Sequence, residues 1–233
     1  MSVTLAARLR AGTSALHTRA ERTPFMAALM GGRLDRYGYC LMLRNLESVY
    51  VELERALLRH AGHAQVAPVV MPVMFRTSSL QQDLHALHGA GWALQLPLLP
   101  ACTRYTDRLK HLAEADPVLL AAHVYVRYLG DLSGGQMLQR VVARGLDLAP
   151  GDQGMAFLDF GAPQDVAKLA GALRAGMDEV ARAGADEEAL IAEATWSFEL
   201  HCVLFAELAQ ASGMPPSAMP ANGLPASGAT LLQ

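Results

Sequence analysis

The sequence predicts an all-α fold, a single-domain multi-helix bundle, and three observations carry that prediction. Apolar residues recur at intervals of three and four along several long stretches, the spacing that places them on one face of a helix. Nothing alternates with period two for long enough to propose a strand. Helix punctuation separates the stretches: Gly31-Gly32, Gly62, Gly89 with Gly91, and Asp116-Pro117. The 233 residues suffice for one domain with a sizeable core. That domain is assigned to residues 1–211. Residues 212–233 hold Pro215, Pro216, Pro220 and Pro225 among Gly, Ser and Ala, and are expected to form a disordered tail.

In order, a first helix is expected from Thr4 to Met30, with Leu5, Leu9, Leu16, Ala20 and Met26 on its apolar side. Pro24 bends or restarts it, and Gly31-Gly32 ends it. A second helix runs from Asp35, its N-cap, to His60. Its stripe is Tyr39, Leu43, Leu46, Tyr50, Leu53 and Leu57. A third spans Ser78 to His88, capped by Ser78 or Ser79. Trp92 to Pro100 reads as a connector, and Cys102 to Glu114 as a fourth helix. Asp116-Pro117, an acid N-cap followed by proline at the first position, opens a long helix to Arg144. Leu146 to Asp152 is a turn, and Gly154 to Phe160 a short apolar element of no assigned type. Pro163 to Ala183 and Asp186 to Ala211 complete the bundle.

Hydrophobic residues make up 52% of the chain, yet no run of about 18 uncharged apolar residues appears, so no membrane anchor is expected. The N-terminal arginines are interspersed with apolar residues at helical spacing, unlike the blocks of a signal peptide. A net charge of −3 without a basic block argues against nucleic acid as a partner. Cys40, Cys102 and Cys202 are odd in number and lack CxxC spacing. They read as reduced thiols in a cytoplasmic protein.

The most informative stretch is Tyr125 to Gln136, which holds Gly130, Gly134 and Gly135 inside a helical pattern. Each glycine costs about 1 kcal/mol against alanine in a helix interior, about 3 kcal/mol for the three. Gly130 and Gly134 share one face as a smooth strip, and Arg127 and Asp131, also four apart, can pair beside it. Two readings fit: a bent helix laid across a flat ligand with a carboxylate at its side, or a kinked core helix packed tightly on a neighbour.

The run Tyr-Leu-Gly-Asp-Leu-Ser-Gly-Gly-Gln, residues 128–136, resembles the distal-helix signature of the heme oxygenases. Leu16-His17-Thr18-Arg19-Ala20-Glu21 resembles the proximal segment of the same family. The likeness extends from about Leu9 to Leu208 and leaves out only the tail. It implies the family's helical fold, with heme b as both cofactor and substrate between the two segments. It implies His17 as the axial iron ligand. Glu21, one turn on, is within reach of the ring's free N–H. It further implies that Asp131 holds a water network over bound dioxygen, with Arg127 and Tyr50 in that network. Gly130 and Gly134 would supply clearance, with Ser133 and Gly135 in the same strip.

The resemblance also matches Tyr125 and Arg174 to propionate contacts, and Phe198 and Phe205 to the pocket wall; Arg10, two turns before His17 on nearly the same face, is a further propionate candidate. A basic position three before the proximal histidine is Ser14 here, which loosens the seating of the ring. His201 stands where mammalian-type members carry a distal asparagine. His123 reads as structural. His85 and His88 share a helix face without a third ligand.

The implied activity is cleavage of heme at a meso carbon, alpha being the usual one, to biliverdin, carbon monoxide and ferrous iron. Dioxygen is the oxidant. No flavin or nicotinamide fingerprint appears, so a separate ferredoxin or flavoprotein reductase must supply the electrons. Iron acquisition and supply of a bilin-using photoreceptor are both open as purposes. Two further readings share the pocket or the bundle: a heme carrier or sensor without turnover, and a helical enzyme of the thiaminase-like or quinone-cofactor-forming type.

Overall fold

A computed structural model describes residues 3–149 and 152–214, and no strand occurs among them. Thr4 accepts from the Ala7 N–H and starts α1 (Leu5–Glu21). The single first helix expected to reach Met30 is interrupted after Glu21. Thr23 caps a new helix, α2 (Pro24–Met30), with Pro24 at a position whose missing N–H is no loss. Gly31 ends α2, and Gly32 takes φ +63°, the left-handed conformation that lets the chain turn away.

Asp35 caps α3 (Arg36–Arg59), accepting from the Gly38 N–H at 2.8 Å. The stripe from Tyr39 to Leu57 is buried throughout, and α4 and α6 pack along this helix. Neither Ser78 nor Ser79 caps α4 (Thr77–His88). The helix starts on Arg76, and Glu54 of α3 reaches across to accept the Arg76 and Thr77 N–H groups. A buried carboxylate from another helix thus satisfies the free N–H groups that a local serine was expected to serve.

The connector from Trp92 to Pro100 holds a four-residue helix, α5 (Trp92–Gln95), and α6 (Pro100–Ala115) begins at the proline. Asp116 holds the N-cap position expected of it, with Pro117 first in the piece that follows, but its side chain makes no cap hydrogen bond. It closes α6 with φ −155° and ψ 80°. The long helix expected from Asp116 to Arg144 is four pieces: a 3₁₀ turn (Pro117–Leu119), α7 (Leu120–Val124), a π turn (Tyr125–Leu129) and α8 (Gly130–Gly145).

Helices α9 (Pro163–Arg182) and α10 (Glu187–Ala211) close the bundle, with Asp186 capping α10 through the Glu188 and Ala189 N–H groups. By length and composition α10 is apolar enough to cross a membrane. Yet 56% of its apolar window is buried among α1, α2, α6 and α7, which makes it the core helix of the bundle. Ser212 ends α10 and Met214 packs on the core, so the first three residues of the expected tail belong to the fold; residues 215–233 lie outside the described residues.

Helix α9 crosses the Ala67–Val69 turn at Gly176, where an added Cβ would stand 2.3 Å from the Pro68 carbonyl oxygen. Backbone on both sides leaves nothing flexible to yield. Gly176→Ala is expected to destabilise the protein by about 2–3 kcal/mol, read as a lowered urea midpoint. An unchanged midpoint would mean that the Pro68 turn moves freely.

Candidate functional site

A cavity of about 310 Å³ opens between α1, α3, α8 and α10. Its α3 wall is Tyr39, Met42 and Leu46, spaced three and four apart, so one face of that helix forms it. Gly130, Ser133, Gly134 and Gly135 line the side made by α8. A Cβ on Gly130 would meet nothing within 4 Å, and one on Gly134 only Leu138 Cδ1 at 3.8 Å. These two glycines therefore leave clearance for something outside the protein chain. Gly135 differs: its Cβ would lie 3.1 Å from the Leu158 carbonyl oxygen, so its smallness serves packing.

On the opposite side His17 and Glu21 of α1 line the cavity, both side chains about half exposed. His17 Nδ1 is 3.6 Å from Glu21 Oε2, ion-pair rather than hydrogen-bond distance. The imidazole is otherwise met edge-on by Phe198, ring centroids 5.9 Å apart, so its nitrogens are free to serve a ligand. Phe205, seven residues after Phe198, lines the same wall and stacks on Phe25.

Beyond Gly130 the cavity ends in charge. Asp131, its side chain only 11% exposed, accepts from Tyr50 Oη and from Arg127 Nη2 at 3.2 Å. Arg127 Nε donates to Tyr50 Oη at 3.2 Å, and Nη1 lies 2.9 Å from His201 Nε2. Burial raises the Asp131 carboxyl, with Arg127 and Tyr50 opposing. Burial also lifts the Tyr50 phenol well above its ordinary range, so it stays a donor. The guanidinium is raised despite burial, through Tyr50 and Asp131. Tyr50 itself stands behind Asp131 and does not line the cavity.

His201 is pushed down to about 3 by burial and by Arg127. The unfolded chain protonates it near 6.5, the folded one near 3, so acid favours the unfolded state across that window. About 2 kcal/mol of stability should be lost to this group between pH 6.5 and 5. Urea unfolding at pH 7 and pH 5 should therefore cost the parent chain about that much more than His201→Gln. Equal losses would show that folding does not hold His201 neutral.

The segment from Gly154 to Phe160 proves to be irregular backing for α8. Asp83, fully buried on α4, accepts the Ala156 and Phe157 N–H groups at 2.8 Å each. That anchor presses the Leu158 carbonyl onto Gly135 and sets Phe157 edge-on to Tyr50, centroids 5.9 Å apart.

The heme oxygenase family model matches residues 3–207. Human heme oxygenase 1 is 36% identical over 205 residues, which cover 88% of this chain and 71% of that protein. Heme oxygenase 1 of Nostoc sp. is 35% identical, covering 89% and 87%. The chain belongs to the heme oxygenase family. Solved family structures share its fold. The crystal structure of Synechocystis heme oxygenase-1 in complex with heme superposes with a TM-score of 0.81 at 31% identity, covering 91% and 96% of the two chains. Synechocystis heme oxygenase-2 in complex with heme and NO gives 0.84 at 33% identity, covering 90% and 87%.

Most residues expected from the family signature converge here. His17, Glu21, Arg127, Gly130, Asp131, Ser133, Gly134, Gly135, Phe198 and Phe205 all line the cavity. Arg10, Tyr125 and Arg174 do not; burial raises the Tyr125 hydroxyl, opposed by a hydrogen bond with Thr13 and by the charges of Arg10 and Arg174. Ser14 is exposed and spends its hydroxyl on the Ala11 carbonyl. His123 is fully buried between Tyr105 and Glu193. Among the described residues no group of three or more His, Cys, Asp or Glu could hold a metal ion, so His85 and His88 stay a pair.

Sequence reasoning missed the methionines Met26, Met30, Met42 and Met137 and the loop residues Phe157 and Leu158 in the lining. The methionines sit at helical spacing like any core residue, and the loop has no period to read.

Proposed function

We propose that this chain binds heme between His17 and the Gly130–Gly134 strip, with His17 as the axial ligand to iron. As a heme oxygenase it is an enzyme that degrades heme with dioxygen, the family's products being biliverdin, carbon monoxide and iron. The observation that carries the assignment is the pairing of two open glycines with a buried carboxylate across the cavity from a histidine whose nitrogens are free. Bound heme supplies the iron at which dioxygen is reduced and the ring that is cut.

The residues divide the remaining work. Phe198 and Phe205 would offer the flat ring an aromatic wall, and Gly130 and Gly134 would leave room for it free of side chains. Asp131, aimed by Tyr50 and Arg127, would accept from a water at the end of the cavity and so fix where that water could donate a proton. Arg10, Arg174 and Tyr125 offer two cations and a hydroxyl to the heme carboxylates, which favours one seating and cleavage at the alpha position. Glu21 orients the His17 ring from one turn away. Electrons come from a separate ferredoxin or flavoprotein reductase in the cytoplasm, and the bilin produced can serve a photoreceptor.

The test is an aerobic absorbance series on the purified protein with one equivalent of hemin, before and after ascorbate, with catalase present to remove free peroxide. The expected result is a histidine-type Soret band that decays into verdoheme and biliverdin bands, with chromatography giving the alpha isomer. A Soret band that persists, with a competent reductase also tried, would leave a carrier. No Soret complex would overturn the assignment of His17.

A further inference from the structure

His201 lies on α10 with 5% of its surface exposed, and each ring nitrogen has one partner. Nδ1 is 2.7 Å from the Ser197 carbonyl oxygen. A carbonyl can only accept, so Nδ1 carries the proton. Nε2 is 2.9 Å from Arg127 Nη1. A guanidinium can only donate, so Nε2 must be bare. The two contacts admit one state of the ring, the neutral Nδ1–H tautomer.

Arg127 is 9% exposed and its donors need acceptors inside the protein. Nε serves Tyr50 and Nη2 serves Asp131, each at 3.2 Å, while Nη1 is served by His201. Take His201 away and that edge of the guanidinium has no acceptor, so it must tilt to find one and carry Tyr50 and Asp131 with it.

The ring is braced in turn. Ser197, whose carbonyl fixes Nδ1, bonds through Oγ to Tyr105 Oη at 2.8 Å; Tyr105 reaches His123 Nδ1 at 3.0 Å; His123 Nε2 reaches Glu193, which Arg108 holds from the surface. Tyr105 also meets the His201 ring edge-on, centroids 5.2 Å apart. This second string stops at the Ser197 hydroxyl. Its one hydrogen bond to His201 runs through a backbone carbonyl, which passes no proton, so its part is mechanical.

We propose that His201 is a positioning residue for heme breakdown: a fixed-tautomer acceptor that pins one edge of Arg127, so that the other two donors hold Tyr50 and Asp131 in place at the end of the cavity. The proposal rests on the reading of Asp131 as the working carboxylate of this pocket. It gives α10 a second duty. The helix whose Phe198 and Phe205 form the ligand wall also sets the orientation of the carboxylate across from it.

Two measurements test it. In the heme-free protein, ¹⁵N-resolved NMR of the histidine rings from about pH 5 to pH 8 should show one ring in the neutral Nδ1–H tautomer throughout, assigned to His201 by its loss in His201→Gln. An Nε2–H tautomer, or a ring that titrates in that range, overturns the proposal without any use of heme. In the ascorbate-driven reaction, His201→Ala should slow heme breakdown by about tenfold or more while heme affinity changes by less than about threefold. His201→Gln, which offers an amide oxygen close to where Nε2 stands, should recover most of the rate. If alanine and glutamine are equally slow, or if affinity falls in step with rate, His201 merely fills space. A parent protein that failed to break down heme would overturn the functional reading and leave the tautomer result standing.

Discussion

Asp131→Ala is expected to lower the single-turnover rate of heme breakdown by about two to three orders of magnitude, the scale of losing one preorganised polar group at a reacting centre. Heme affinity should change little, because Asp131 stands at the end of the cavity, while on the proposed reading His17, Phe198, Phe205 and the Arg10–Arg174 pair hold the heme. Tyr50 and Arg127 explain the size of the effect. Both spend donors on this carboxylate, one through Oη and the other through Nη2. Without it Tyr50 Oη and Arg127 Nη2 lose the acceptor they share. Asp131→Asn keeps an acceptor but brings an amide N–H against two donors, so it should fall between. The measurement is the decay of the Soret band under ascorbate, set beside the hemin-binding isotherm of each variant. Unchanged decay in Asp131→Ala would remove the carboxylate from the chemistry and leave it as a partner for a buried arginine.

His17→Ala should abolish the histidine-type Soret band and reduce turnover to background, because the other imidazole lining the cavity among the described residues, His201, has both ring nitrogens engaged. Half of the His17 surface is accessible, and its chief neighbours are the edge of Phe198 and the distant Glu21 carboxylate. The side chain is thus expendable for stability, and the variant should melt near the parent. Added imidazole should enter the vacated space and restore the band and part of the turnover. Glu21→Ala should cost about tenfold at most in heme affinity, at the low end for a group that orients a metal-bound histidine, given its 3.6 Å separation and its exposure. A His17→Ala protein that kept its Soret band would point to another iron ligand.

How far the sequence reaches differs from residue to residue, for physical reasons. The α3 stripe, the Asp35 cap, the Pro24 restart and the Gly31-Gly32 stop are local effects, and all are readable from spacing and residue type. The cap of α4 is not, because Glu54 lies 22 residues before the N–H it serves. The start at Asp116-Pro117 was legible as a position, but not the idle side chain: α6 runs up to the same residue, which closes one helix as it opens the next. In the site, the signature residues were legible because glycine inside a helix is locally unfavourable and so asks for an explanation. His201 was marked only by the resemblance, which sets it at a distal asparagine position; nothing in its spacing marks it, and its role depends on an arginine 74 positions away. The loop at Phe157 depends in the same way on Asp83.

The π turn at Tyr125–Leu129 sets the phase of everything that follows it. A wide turn takes up about one residue more than an α turn, and one residue is about 100° of rotation on a regular helix. Loss of a single residue there would let the helix run on without a flaw, with better hydrogen bonds than before. It would also swing Gly130, Asp131 and Gly134 about a quarter of the way round, off the cavity and into the neighbouring helices. The catalytic face is therefore encoded partly as a count of residues, and a one-residue deletion upstream of the signature would silence the enzyme while leaving every residue of the signature in place.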